Sequence, residues 1–226
     1  RGKLLQESAI RALVQNIASC DEVWVVSRGA GENLRSLGYE GDYIVMENGV
    51  DVPRGRVSDE AIAAATGRYD LPQNVPVFLF VGRLMWYKGI RIILDALKTL
   101  REKNVDFRMV FVGEGADGAE IRSYAEEQKL SDRCFFTGAI SDREIIRAWY
   151  GRSDLFLFPS TFDTNGLVVR EAAASGTATV MIRNSCASEG VGDGRNGFCI
   201  EENAAAMAAK LEELCQAAGA RPARRR

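Results

Sequence analysis

The chain alternates between short apolar runs and longer segments with helical spacing, most regularly from residue 75 onward. Apolar runs predict six strands: Val77–Val81, Arg108–Val112, Cys134–Thr137, Leu155–Phe158, Thr179–Ile182 and Phe198–Ile200. The segments between and after them predict helices over roughly Gly89–Glu102, Ala119–Gln128, Asp142–Tyr150, Asn165–Ala174 and Ala204–Ala217. Most strand runs are apolar at consecutive positions, which is typical of strands buried on both faces of a parallel sheet. The pattern predicts an α/β fold with a Rossmann-like, doubly wound parallel sheet of about six strands.

The residues before this region carry a shorter series of predicted elements. Helical spacing and apolar runs predict a helix over Lys3–Ser19, a strand over Val23–Val26, a helix over Ala30–Leu37 and a strand over Tyr43–Met46. A turn signal at Asn48-Gly49 follows, and then a segment punctuated by proline and glycine. We therefore predict a boundary between residues 1–52 and residues 53–226.

Composition narrows the class of protein. With 29 basic and 31 acidic residues, the formal net charge is −2, which argues against broad nucleic-acid binding. The five cysteines form no closely spaced pair and histidine is absent, so we expect reduced thiols and no zinc site. No apolar run is long enough to span a membrane and no signal peptide opens the sequence, so we predict a cytoplasmic protein. Any acid–base chemistry must use carboxylates or groups from outside this sequence.

The loop after the first strand of the large region carries two cations. It reads Gly82-Arg83-Leu84-Met85-Trp86-Tyr87-Lys88-Gly89 and opens a predicted helix. Arg83 and Lys88 lie on the two sides of this turn, where the helix dipole adds to their charge. The arrangement predicts a clamp for a diphosphate, and the alternative is a pair of solvated surface cations.

A glycine-rich segment follows the next strand. Gly113-Glu114-Gly115-Ala116-Asp117-Gly118 matches G-x-G-x-x-G, a motif of dinucleotide-binding sites. That motif belongs at the first strand–helix turn of such a domain, whereas here it follows the second strand. We therefore favour a turn that lets a ligand or another backbone segment approach closely, and keep a nicotinamide site as the weaker alternative.

The connection from Phe158 to the next helix carries candidate sugar-binding groups. It includes Asp163-Thr164-Asn165-Gly166-Leu167, with Glu171 one helical turn further on. We predict that Asp163 or Thr164 caps the helix, and that the amides of Asn165, Gly166 and Leu167 face an anion. The Glu171 carboxylate is suited to accept hydrogen bonds from the two adjacent hydroxyls of a ribose, and Asp163 to reach a sugar hydroxyl. The alternative is an ordinary helix cap and a solvated acid.

The ordered set of these segments resembles the family-4 glycosyltransferases of the GT-B fold. The matching segments are Glu47–Asp51, Gly82-Arg83-Leu84 with Lys88-Gly89, Phe136-Thr137-Gly138, Asp163–Gly176 and Asp193–Gly197. Asp163 and Glu171 match the E-x7-E motif of the family, except that the first acid is an aspartate. Asn165 stands where the family commonly has an aromatic residue.

The resemblance implies a function and a role for each matching residue. Arg83 and Lys88 would hold the diphosphate of a UDP- or GDP-linked sugar and act with Asp163 as the catalytic set. Glu171 would bind the ribose, Asp163 the transferred sugar, the Leu167 backbone the phosphates and the backbone around Ile140 the base. Gly82, Gly113, Thr164, Asn165 and Gly166 complete the predicted donor-binding set. The family transfers a hexose with retention and needs neither a bound metal nor a cofactor, the nucleotide sugar being the substrate.

The resemblance also implies a second half of the molecule. Residues 1–52 match the end of an acceptor-side domain, and residues 53–226 match the donor domain. We therefore expect this chain to bind the nucleotide-diphosphate sugar but to be inactive alone, because a glycan or lipid acceptor would bind through the missing domain. The full-length enzyme is expected to associate peripherally with a membrane. The alternatives are a non-catalytic nucleotide-sugar-binding subunit and, less favoured, an NAD-dependent dehydrogenase.

Overall fold

The computed structural model describes residues 2–53 and 55–219, and eight helices and eight strands lie within those ranges. Their order is α1 (Gly2–Ala18), β1 (Trp24–Val25), α2 (Arg28–Ser36), β2 (Ile44–Val45), α3 (Asp59–Thr66), β3 (Val77–Val81), α4 (Ile90–Glu102), β4 (Arg108–Val112), α5 (Gly118–Glu127), β5 (Cys134–Gly138), α6 (Arg143–Arg152), β6 (Leu155–Phe158), α7 (Leu167–Ala174), β7 (Ala178–Ile182), β8 (Phe198–Ile200) and α8 (Ala204–Gly219). The predicted strands of the large region are all present.

The large sheet has six parallel strands in the order β5-β4-β3-β6-β7-β8. From β3 the chain runs outward to β5, and then returns to the other side of β3 with β6. The winding therefore reverses between β3 and β6, and their carboxyl ends border one crevice. In open parallel sheets such a crevice is where ligands bind. The prediction of a doubly wound, Rossmann-like sheet is confirmed.

Both faces of this sheet are buried. On β3, Phe78 and Phe80 belong to a core cluster that includes Ile93 and Leu97 of α4. The intervening residues Val77, Leu79 and Val81 belong to a second cluster, which includes Trp149 of α6 and Val169 of α7. A strand buried on both sides needs apolar residues at consecutive positions, which explains the runs in the sequence.

The first elements form a smaller body beside the large sheet. Strands β1 and β2 pair in parallel, with Trp24 opposite Ile44. The side-chain amide of Asn165 donates to the Val26 carbonyl at 2.7 Å, and the Ser27 hydroxyl donates to the Thr164 carbonyl at 2.5 Å. The small body is therefore anchored at the loop that precedes α7.

Helix α7 corrects one sequence-based prediction. It begins at Leu167 instead of Asn165, and its N-cap residue is Gly166, with φ of +61° and no side-chain capping bond. The prediction that Asp163 or Thr164 caps this helix is wrong. Glycine accommodates the left-handed backbone at this position, and Asp163 has a stronger partner across the crevice.

The five cysteines are all free thiols. Burial raises the pKa of Cys134 and of Cys199, and it raises the pKa of Cys215 to about 11. Over residues 2–53 and 55–219, no helix is both long and apolar enough to cross a membrane. The basic segment 221–226, which we interpret from sequence as a solvated end, lies outside the described residues.

Candidate functional site

A cavity of about 240 Å³ lies where β3 and β6 end. It is lined by Asn48, Phe80, Val81, Gly82, Lys88, Phe158, Asp163, Thr164, Asn165, Gly166, Leu167 and Val168. Seven predicted donor-binding residues are in this lining, drawn from two loops far apart in sequence. The reversal of the sheet brings these loops together, because one follows β3 and the other follows β6.

An ion pair crosses this cavity. The Lys88 ammonium lies 2.5 Å from one oxygen of Asp163, and the two side chains are only 12% and 22% exposed. The other carboxylate oxygen, Asp163 Oδ2, is buried and has no hydrogen-bond partner among the described residues. Such an oxygen is costly to leave unsatisfied, so it marks a position suited to a hydrogen-bond donor from a ligand.

The glycine-rich loop after β4 supports the loop after β3. Gly113 has φ of +136°, and a side-chain carbon there would overlap the Gly82 carbonyl oxygen. A side-chain carbon at Gly115 would overlap the Leu84 carbonyl oxygen, while the Leu84 amide donates to the Glu114 carbonyl at 3.1 Å. The glycines thus permit two backbone segments to touch. This contact explains the G-x-G-x-x-G motif without requiring a dinucleotide ligand. Gly113 lies behind Gly82, and a direct donor contact by Gly113 stays a prediction.

Arg83 lies outside the cavity lining and is exposed to solvent. Its guanidinium carbon is 6.0 Å from the centre of the Tyr87 ring. Arg83 directly follows Gly82, which does line the cavity, so its flexible side chain is anchored at the edge of the site. Its predicted contact with a diphosphate requires the side chain to turn toward the cavity.

Glu171 and Ile140, two predicted donor-binding residues, lie outside the cavity lining. Glu171 lies one turn beyond Leu167 on α7, and Ile140 packs with Val168 against the same core cluster. Partial burial raises the pKa of Glu171, whereas the charge of Arg143 and the Tyr150 hydroxyl act in the opposite direction. The contacts of Glu171 with a ribose and of the backbone around Ile140 with a base stay predictions.

Sequence reasoning missed two features of this site. Asn48 lines the cavity, although we matched its segment only as a domain boundary. Asn165 is buried, and its carbonyl oxygen accepts from the Arg170 side chain at 3.0 Å while its amide binds Val26. The unusual asparagine in place of an aromatic residue was the available signal for this second feature.

A larger concavity of about 660 Å³ lies elsewhere, between α4, α5 and α8. Its lining includes Lys98, Glu102 and Lys103 together with small alanine side chains of α8. It is remote from the carboxyl ends of β3 and β6 and lacks their converging loops. The smaller cavity is therefore the better candidate site.

Comparisons with known proteins identify relatives of this chain. The D-inositol 3-phosphate glycosyltransferase of Streptomyces avermitilis is 29% identical over 217 residues, which cover 91% of this chain and 47% of that protein. The 2-deoxystreptamine glucosyltransferase of Streptomyces kanamyceticus is 33% identical over 134 residues, which cover 59% of this chain and 34% of that protein. The chain thus spans about half the length, or less, of these curated relatives.

A solved structure has the same fold. Anabaena HepE, crystallised with UDP and glucose, superposes with a TM-score of 0.81 at 22% identity, over 97% of this chain and 60% of that one. Its architecture is that of GT-B glycosyltransferases, and the six-stranded parallel sheet described above matches it. The family model for glycosyl transferases group 1 matches residues 64–225, and the chain belongs to that family.

Proposed function

We propose that this chain is the donor-binding part of a retaining, family-4 glycosyltransferase that uses a UDP- or GDP-linked hexose. One observation carries the proposal: a partly buried ion pair, Lys88–Asp163, crosses a cavity at the reversal point of the parallel sheet. A lysine there supplies charge for a diphosphate, and an acid with a free buried oxygen supplies an acceptor for a sugar hydroxyl. UDP in the HepE crystal agrees with this ligand class.

The proposed chemistry relies on positioning and charge. In a transfer reaction the bond from the sugar to the diphosphate breaks, and negative charge develops on the departing diphosphate. Lys88, with Arg83 swung inward, is placed to stabilise that charge, which is an effective use of fixed cations in a site. We propose that Asp163 orients the sugar, that Glu171 binds the ribose, and that neither metal nor cofactor takes part.

We propose that these 226 residues bind the donor but transfer its sugar poorly by themselves. The cavity is flanked by the exposed residues Arg83 and Thr164, so water has access to a bound donor. Transfer needs water to be excluded and an acceptor to be held in place. We infer that a glycan or lipid acceptor is held by further residues, as the greater length of the relatives supports. Peripheral membrane association and a cytoplasmic location stay predictions.

The Lys88→Ala variant tests the proposal. Its affinity for UDP should fall by about 10- to 100-fold, the loss that follows from removing a charge-assisted hydrogen bond. Its affinity for uridine should change little, because uridine has no phosphate. Calorimetric titration of the wild-type chain with UDP, GDP, ADP and uridine supplies the reference values.

Lys98→Ala is the matched control, since this lysine lies on the exposed surface of α4 and away from the cavity. It should bind UDP as the wild type does. Equal losses for UDP and uridine in Lys88→Ala would contradict the clamp, and failure of the wild type to bind any of the nucleotides at millimolar concentration would overturn the proposed function.

A further inference from the structure

Two exposed aromatic side chains contact each other next to Lys88, a residue of the cavity lining, and we call this pair the aromatic rim. The rings of Tyr87 and Phe162 are 5.8 Å apart between centroids, at an interplanar angle of 76°. Phe162 is 73% exposed and Tyr87 is 38% exposed. Single exposed apolar residues are common on proteins, but a contacting aromatic pair beside a ligand cavity is a candidate binding surface.

The aromatic rim lies beside the ion pair. Tyr87 directly precedes Lys88, whose ammonium lies near the Tyr87 ring, and Phe162 directly precedes Asp163. Neither ring is part of the cavity lining. A nucleotide sugar confined to the cavity would therefore leave both rings uncovered.

Two positively charged side chains lie near the Tyr87 ring of the rim. The Lys88 ammonium is 5.5 Å from the centre of the Tyr87 ring, and the Arg83 guanidinium carbon is 6.0 Å from the same centre. A ligand that covers the rim must therefore be apolar where it meets the rings and polar at its edge. An acyl chain fits poorly, because covering the rim with hydrocarbon would also bury these charges.

A six-membered polyhydroxylated ring has the required character. Its C–H groups form an apolar face that packs against an aromatic ring, whose face carries partial negative charge. Its hydroxyl groups lie at the edge, where they can reach charged side chains. We propose that the aromatic rim binds the sugar or cyclitol ring of the acceptor, so that this chain itself supplies part of the acceptor site. The proposal rests on the donor site proposed above.

Saturation-transfer NMR tests the proposal on the intact chain with UDP present. The aromatic protons are irradiated, and transfer is measured to the C–H protons of glucose, maltotriose and myo-inositol in turn. At least one of these probes should receive saturation from the wild type. Phe162→Ala and Tyr87→Ala should each reduce that transfer about five-fold, in keeping with the loss of one aromatic contact. Phe162→Leu, which keeps apolar bulk but has no aromatic face, should reduce it similarly.

Trp24→Ala is the control, because Trp24 is also an exposed aromatic residue, 58% exposed, but lies on the small sheet. It should leave transfer to the probes unchanged. Undiminished transfer in the rim variants, or no transfer from the wild type to any probe, would overturn the proposal. UDP titration of the wild type and of each variant separates the two hypotheses. Absence of UDP binding by the wild type would refute the proposed donor site. Normal UDP binding by the rim variants together with undiminished saturation transfer would refute the proposed acceptor contact.

Discussion

Asp163 shows how one side chain can serve two partners. One oxygen is held by Lys88, and the other is buried without a partner among the described residues. In the donor site proposed above, a diphosphate would compete with Asp163 for the same ammonium group, and a sugar hydroxyl would satisfy the other oxygen. The ion pair would then have to loosen for the phosphate to bind Lys88 fully.

The Asp163→Asn variant should separate these two roles. Without the competing carboxylate, UDP affinity should rise by about five-fold, since a partly exposed ion pair is worth on the order of 1 kcal/mol. Any additional affinity of UDP-glucose over UDP should shrink, because the sugar loses its charged acceptor. Calorimetric titration with both ligands measures the two effects. Glu202→Gln, an exposed acid that contacts Thr161 at 3.3 Å, is the control and should change neither affinity.

Glu171, the proposed ribose ligand, carries a cost in stability. Burial raises the pKa of this carboxyl, so the folded chain holds the proton more tightly than the unfolded chain does. Ionisation of Glu171 therefore lowers the free energy of unfolding as pH rises through the unfolded-state pKa and toward the higher folded-state value. At neutral pH the cost is fully present, although solvent at this half-buried site reduces it.

Glu171→Gln should therefore raise the Tm at pH 7 by about 1–2 °C and weaken binding of both UDP and uridine. The gain in Tm should vanish when the pH is lowered well below the unfolded-state pKa. Thermal unfolding across pH, with titration at pH 7, checks both effects. Glu126→Gln on the exposed face of α5 is the control. A lower Tm at pH 7 with unchanged nucleoside affinity would contradict the assignment.

At the scale of elements, the sequence was most informative where strands are buried on both faces. The predicted bounds of β3, β4, β6 and β8 agree with the structure, because a fully covered strand leaves an uninterrupted apolar run. The start of α7 was predicted wrongly because Asp163 is bound by Lys88, 75 positions away, and no local pattern reveals that contact. Most residues of the cavity lining after β3 and β6 were thus predictable from sequence, but the contacts between them were not.

The loop after β4 gives the sharpest prediction at this scale. Gly113→Ala places a methyl group against the Gly82 carbonyl at a backbone conformation that only glycine adopts easily. We expect a loss of about 2–4 kcal/mol in the free energy of unfolding, and loss of UDP binding as the loop after β3 shifts. Denaturant unfolding and UDP titration measure both.

Gly176→Ala measures the cost of the backbone conformation alone, without a steric contact. Gly176 also has positive φ, of +80°, but a side-chain carbon there would meet no atom within 4 Å. This substitution should therefore lower the free energy of unfolding by about 1 kcal/mol and leave UDP binding intact. Equal effects of the two substitutions would mean that the contact between the two loops does not matter for the site.

At the scale of the whole molecule, the loop that precedes α7 is bonded to the small body formed by the first elements. Asn165 binds the Val26 carbonyl, and Arg170 connects Asn165 to Glu47 at 3.1 Å. The Glu189 carboxylate accepts from two backbone amides at the start of α2, at 2.9 and 2.6 Å. Except for the Arg170–Asn165 bond, these contacts join residues more than a hundred positions apart, so local sequence patterns could not predict them. The loop that lines the cavity is therefore sensitive to the position of β1 and β2.

Asn165→Ala should uncouple the two bodies. It removes the bond to the Val26 carbonyl and leaves Arg170 with Glu47 as its remaining partner; losing the partner of a buried polar group costs about 1–3 kcal/mol. Amide hydrogen exchange should therefore accelerate at Trp24–Val26 and across the loop 163–167, while protection in β3, β4 and β6 stays as in the wild type. UDP affinity should fall, since the lining of the cavity is less ordered.

Asn33→Ala, on the exposed surface of α2, serves as the control. Uniform acceleration throughout the large sheet would instead identify Asn165 as a general stabiliser of the domain, and unchanged exchange at Trp24–Val26 would show that the two bodies are held together by other contacts.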